Sequence, residues 1–197
     1  MEKVNTEKRV EIIEAALQLF SERGFEKTTV DEIANKANVG KGTIYLYFKN
    51  KEQIFMAVIE EGLSKMITHL NQIFSHGNYM TQLREMITYH FKFVEENKDF
   101  YKIFLKERLN FCFYDNPSKT KIVELHHQLY RLLEEFFHNG IKEGYLRLGN
   151  PNYYSLSLSG MISHFIVHWL TTGETESITS MTDTILEIFL TGAQKTK

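Results

Sequence analysis

One cysteine and two prolines in 197 residues leave this chain few means of cross-linking or interrupting itself. A lone Cys112 excludes a disulfide framework and a cysteine-based metal site. Scarce proline and few glycine clusters argue against disorder and against a turn-rich all-β fold. No secretory apolar segment is found near Met1, so the expected compartment is the cytoplasm. Catalytic signatures are missing too. There is no GxSxG, HExxH, P-loop or dinucleotide fingerprint, and Gly40-Lys41-Gly42-Thr43 has the wrong spacing for a phosphate loop. No enzyme activity and no cofactor are therefore expected.

The longest charge-free run, Leu148 to Gly173, is long enough to cross a bilayer. Asn150, Asn152, Ser155, Ser157, Ser159, Ser163, His164 and His168 lie within it and would be costly in lipid. A helix buried inside an oligomer is the better expectation, without a membrane. All eight histidines follow residue 50, and His164 and His168 share a helical face at i, i+4. Without a carboxylate at suitable spacing that pair reads as interface or core, and no metal is expected.

What is present is a helical sequence. In the first helix, from Asn5 or Thr6 to Arg23, Val10, Ile13, Leu17 and Phe20 make an apolar stripe, widened by Ile12, Ala16 and Leu19. Gly24 ends it and Phe25 folds back on its last turn. Thr29-Val30-Asp31-Glu32 reads as a capping box opening a short helix, Val30 to Ala37. Asn38-Val39-Gly40 makes a tight turn into a second short helix, Lys41 to Phe48, and Asn50 caps a long one. Two short helices joined by a Gly-containing turn have the helix-turn-helix layout. Such a pair cannot bury its own core, so the first helix must cover it. From Ile33 to Lys51 the only charges are Lys36, Lys41, Lys49 and Lys51, a run that suits either a phosphate-facing surface or a solvated one.

Further helices are expected at Lys51–Phe74, Tyr79–Asn97, Asp99–Phe113, Ser118–Gly140, Asn152–Thr171 and Thr175–Ala193, separated by Gly, Asn and Pro breaks. The chain reads as all-α, with about nine helices in total. The expected domains are a three-helix head over 1–50 and a larger helical domain over 51–197.

The stretch IIEAALQLFSERGFEKTTVDEIANKANVGKGTIYLYFKNKEQIF, Ile12 to Phe55, resembles the TetR-type one-component regulators. The resemblance implies a DNA-binding head with contacts from Thr29, Lys41, Gly42, Thr43, Tyr45, Tyr47 and Lys51. Thr29 and Lys51 match phosphate-contacting positions; Lys41, Gly42 and Thr43 match the start of the helix that enters the major groove. Physical chemistry agrees: lysine donates to guanine O6/N7 or a phosphate, and a threonine methyl meets a thymine methyl. On spacing alone Tyr45 is either core or reader, and Lys49 and Lys51 are either surface lysines or contacts. Asp31 departs from the pattern, because it would repel a nearby phosphate, and no contact is carried over to it.

Beyond the head, Phe and Tyr are dense. Met66, Phe93, Phe104 and Phe111, with Tyr130, Phe137, Met161 and Phe165, are expected to line an apolar cavity for a small lipophilic effector, unless they form a closed core. Ser157, Gly160, His164 and Val167, joined by Ile185 and Phe189 on the last helix, are expected at a homodimer interface built as a four-helix bundle. A two-fold dimer would set two recognition helices about one turn apart on a palindromic operator in double-stranded DNA. The expected function is a ligand-responsive transcriptional regulator, a repressor released by its effector. The effector is left open among drugs, fatty-acyl chains and other lipophiles.

Overall fold

The computed structural model describes residues 2–98, 100–105, 120–173 and 176–193. Every regular element among them is helical: α1 Glu2–Arg23, α2 Val30–Lys36, α3 Lys41–Tyr47, α4 Lys51–Phe74, α5 Tyr79–Glu96, α6 Thr120–Lys142, α7 Pro151–Thr171, a 3-10 turn Ile178–Met181, and α8 Thr182–Ala193. Residues 98 and 100–105 are helical as well. The fold is all-α. The expected helix Asp99–Phe113 lies outside the described residues beyond 105, and so does Phe111.

Two compact units form, residues 1–65 with 97–125, and residues 66–96 with 126–197. In the first, α1 buries Ile12, Ile13, Ala16, Leu19 and Phe20, while Val10 stands exposed and Leu17 half-buried. The inward face is thus centred on the residues expected only to widen the stripe. Gly24 takes a left-handed φ of 81° and its N–H donates to the Phe20 carbonyl at 2.8 Å. Phe25 then folds back, and the rings of Phe20, Phe25 and Phe55 meet pairwise at 5.0–5.5 Å. Burying Phe20 and Phe55 contributes roughly 1.5–3 kcal/mol each. The buried Thr28 hydroxyl bridges the Leu19 and Gly24 carbonyls, at 3.2 and 2.9 Å. On α4, Gly62 leaves the space occupied by the Phe100 ring; a Cβ there would lie 2.1 Å from it.

In the second unit, Phe74, Phe136, Tyr79 and Tyr145 form a column of near-parallel rings, with successive centroids 4.4, 4.5 and 5.2 Å apart. Gly140 makes room for it. The position was expected to end α6, yet the helix continues to Lys142, and a Cβ at 140 would sit 2.3 Å from the Tyr79 ring. Gly144, at φ 81°, makes the turn instead. Asn150 caps α7 by accepting from the Asn152 N–H at 2.9 Å, with Pro151 in the first turn where its missing N–H costs nothing. At the other end of α7 the Trp169 indole N–H donates to the Glu176 carbonyl at 2.7 Å. The last segment opens with the 3-10 turn, whose Ile178 N–H donates to Glu95 of α5 at 2.8 Å. Among the described residues no helix is long and apolar enough to cross a membrane.

Candidate nucleic-acid interface

The expected capping box is present. Thr29 Oγ1 accepts from the Glu32 N–H at 3.3 Å, and the Glu32 carboxylate accepts from the Thr29 N–H at 2.9 Å. The Thr29 N–H and the Thr29 hydroxyl, both donating to the Glu32 carboxylate at 2.9 Å and aided by Arg23 at 2.8 Å, hold that carboxyl below the usual carboxylate range. The chain leaves α2 through Ala37 and Asn38, and it is Asn38, at φ 53°, that takes the left-handed conformation. Val39 N–H closes the turn on the Ala34 carbonyl at 3.0 Å. Gly40 is the N-cap of α3 with an ordinary φ of −69° and no side-chain cap.

α3 presents one face to its own core and one away from it. Ile44 is fully buried and Phe48 nearly so, the latter with the Arg9 guanidinium 5.5 Å above its ring. Lys41, Gly42, Tyr45 and Leu46 are exposed, Tyr45 to 50% and Leu46 to 82%, while Thr43 and Tyr47 are half-buried. A Cβ on Gly42 would meet nothing within 4 Å. The fold itself therefore needs no glycine there, although glycine inside a helix costs about 0.5–1 kcal/mol against alanine. Nothing in the sequence marks Leu46 as outward-facing, because an apolar residue in an apolar-rich helix is ambiguous between core and surface.

The four lysines are less unopposed than their order along the chain indicates. Lys41 pairs with Asp31 of α2 at 2.8 Å, an ion pair and hydrogen bond that raise the lysine's pKa. Lys36 lies 3.7 Å from Glu22. Lys51 donates to the Phe25 and Glu26 carbonyls, at 2.7 and 3.3 Å, with its ammonium 4.3 Å above the Phe25 ring. Its ammonium thus pins the start of α4 to the loop after α1, so a lysine expected as either a surface residue or a phosphate contact is a structural tie. Lys49 is exposed beside Asn50, which caps α4 by accepting from the Gln53 N–H at 2.9 Å.

The residues expected around an effector divide between the two units. Phe104 lies in the first, with Phe100 and Tyr101 at 6.0 Å. Met66, Phe93, Tyr130, Phe137, Met161 and Phe165 lie in the second. Of these, Met66, Phe93 and Phe137 are buried, and Phe137 meets Phe136, Tyr154 and Phe189 at 5.4–6.2 Å. Tyr130 is half-buried against His126, and Met161 and Phe165 are half-buried on α7. Burial pushes the His90 imidazole of α5 down to about 4.

Of the expected interface residues, Ser157, Gly160, His164 and Val167 are all exposed on α7, beside Tyr153 and Leu156. Ile185 and Phe189 need correction: both are buried within their own chain, Phe189 against Phe137 and Tyr154. The exposed apolar position on α8 is Ile188. Periodicity identifies an apolar face but not what covers it. Among the described residues no group of three His, Cys, Asp or Glu side chains is placed to hold a metal ion.

Residues 12–58 match the family described as bacterial regulatory proteins, tetR family, and residues 76–193 match the tetracyclin repressor-like C-terminal domain. The fatty acid metabolism regulator protein of Bacillus subtilis is 25% identical over 187 residues, covering 94% of this chain and 95% of that one. The solved structure of the fatty acid degradation regulator FadR from Bacillus halodurans superposes with a TM-score of 0.80 at 25% identity, covering 94% and 95% of the two chains. FadR from Bacillus subtilis, solved in complex with stearoyl-CoA, has the same fold, with a TM-score of 0.80 at 24% identity and 93% and 98% coverage.

Proposed function

The chain belongs to the TetR family of transcriptional regulators, and from that premise we propose that it is a repressor that binds a palindromic operator as a homodimer and leaves it when a fatty-acyl effector binds. One observation carries the DNA reading: α3 buries Ile44 against the head and turns Lys41, Gly42, Tyr45 and Leu46 outward, as a recognition helix must. The family resemblance assigns Thr29, Thr43, Tyr47 and Lys51 phosphate or base contacts.

The exposed strip Tyr153, Leu156, Gly160, His164 and Val167 on α7, with Ile188 on α8, supports a two-fold interface between copies. Small Gly160 would let the partner helix approach closely, and a Cβ there meets nothing within 4 Å in the single chain. The fatty-acyl class rests on relatives named as fatty acid metabolism and degradation regulators, and on the apolar side chains of Met66, Met161 and Phe165. The functional division we adopt is a head over 1–50 and an effector and dimerisation domain over 51–197, acting in the cytoplasm.

An effector that prefers the conformation with misplaced heads releases DNA by shifting the population toward it. Lys51–Phe74 leads directly from the head into the larger domain and is the element to transmit such a change. Mobility shifts of genomic fragments at low salt test the first half: failure to retard any fragment refutes DNA binding. Adding stearoyl-CoA tests the second. Release at micromolar ligand is expected, and retained binding across acyl-chain lengths refutes a fatty-acyl effector.

A further inference from the structure

We infer that Leu46 reads thymine methyl groups and is the main source of base selectivity in α3, an inference resting on the DNA-binding reading above. The sequence of α3, KGTIYLY, contains no Arg, Asn, Gln, Asp or Glu. The side chains that read adenine bidentately are therefore absent from it, and lysine is its one group able to read guanine O6/N7. Its one cationic group, Lys41, lies against the Asp31 carboxylate at 2.8 Å. Hydrogen bonding from this helix thus offers little discrimination between base pairs.

The centre of the outward face is apolar instead. Leu46 is 82% exposed on the side of the helix opposite the buried Ile44. Gly42, one turn earlier on the same side, has open space where a side chain would be. The helix can therefore come close to a groove floor at Gly42 and bring the Leu46 methyls against the base edges one turn along. A lone exposed leucine elsewhere on a surface needs no explanation. This one occupies the most projecting position of the presented face, where only the thymine C5-methyl offers an apolar surface unique to one base. Each methyl removed from such a contact weakens binding by about fourfold, equivalent to ~0.8 kcal/mol.

The test begins with selection of a bound duplex from a random pool by the full-length protein. Each thymine of that duplex is then replaced by deoxyuridine, which removes the methyl alone. At one or more positions the wild type should lose about fourfold in affinity, and Leu46→Ala should lose the same amount on the thymine duplex with no further loss on the uracil one. Leu46 is exposed, so the variant should melt with the wild type. Additive losses, indifference to uracil, or coupling of uracil to Thr43→Ser in place of Leu46→Ala would each overturn the assignment. Failure of the wild type to select any duplex overturns the DNA-binding reading itself, and this inference with it.

Discussion

The ammonium of Lys41 lies between the two carboxylate oxygens of Asp31, 2.8 Å from Oδ1 and 2.9 Å from Oδ2. Both side chains are largely exposed, so the pair adds little to folding. Its effect is on the field that an incoming duplex meets. A phosphate near α3 finds a neutral couple, with an acid that must be displaced or tolerated.

Asp31→Asn should accordingly tighten binding to every duplex. The plot of log affinity against log salt should steepen by up to about 0.9, one further counterion released. Stability should stay within about 0.5 kcal/mol, since the pair is exposed. Titrations at three salt concentrations decide the matter; unchanged affinity and slope would show that Asp31 lies away from the phosphates.

Lys51 has two tasks that one substitution separates. Lys51→Met keeps much of the stem over Phe25 but removes the donors to the Phe25 and Glu26 carbonyls. The melting temperature should fall by a few degrees, on the order of 1 kcal/mol. If the ammonium also meets a phosphate, the salt slope flattens by about 0.9 for specific and random duplexes alike. A lower melting temperature with an unaltered slope would leave Lys51 a structural tie only.

Gly42→Ala should move stability and binding in opposite directions. Alanine inside the helix gains about 0.5–1 kcal/mol, since its methyl meets nothing within 4 Å. On the proposed DNA-binding reading the same methyl would face the duplex, and affinity should drop. Melting and mobility-shift assays on one preparation read both effects, and a variant that melts higher and binds equally well would remove Gly42 from the interface.

His90 makes stability depend on acid. Its folded value of about 4 lies below the ~6.5 of an unfolded histidine, so the unfolded chain binds the extra proton between those values. The stability it contributes is complete above about pH 6.5 and is lost as pH falls toward 4. His90→Gln should flatten the melting profile in that window relative to the wild type, while carboxylates titrate equally in both. Parallel profiles would contradict a lowered His90 pKa in the folded chain.

The head was largely legible because its determinants are local. The Thr29–Glu32 box, Gly24 and the Asn50 cap each depend on neighbours within four residues, and each formed as the spacing indicated. Contacts that join separate elements were not legible. Asp31 and Lys41 are ten positions apart across a turn, so a count along the chain could not bring the acid to the lysine. Gly140 resembled a stop because nothing in the sequence announces a ring from Tyr79 lying on its backbone. Ile185 and Phe189 have the right period for an interface, but periodicity does not separate a partner's surface from the chain's own Phe137 and Tyr154. Leu46 was missed for the converse reason, since an apolar side chain carries no sign that it faces outward.

The bond from the Trp169 indole to the Glu176 carbonyl has an optical consequence. This is the sole tryptophan of the chain, so selectively excited indole emission comes from one place, the last turn of α7. Any loosening of that turn would exchange a carbonyl for water at the N–H and shift the emission to the red. The protein thus carries an intrinsic fluorophore that reports on its larger domain, and titrations can follow that domain without an added label.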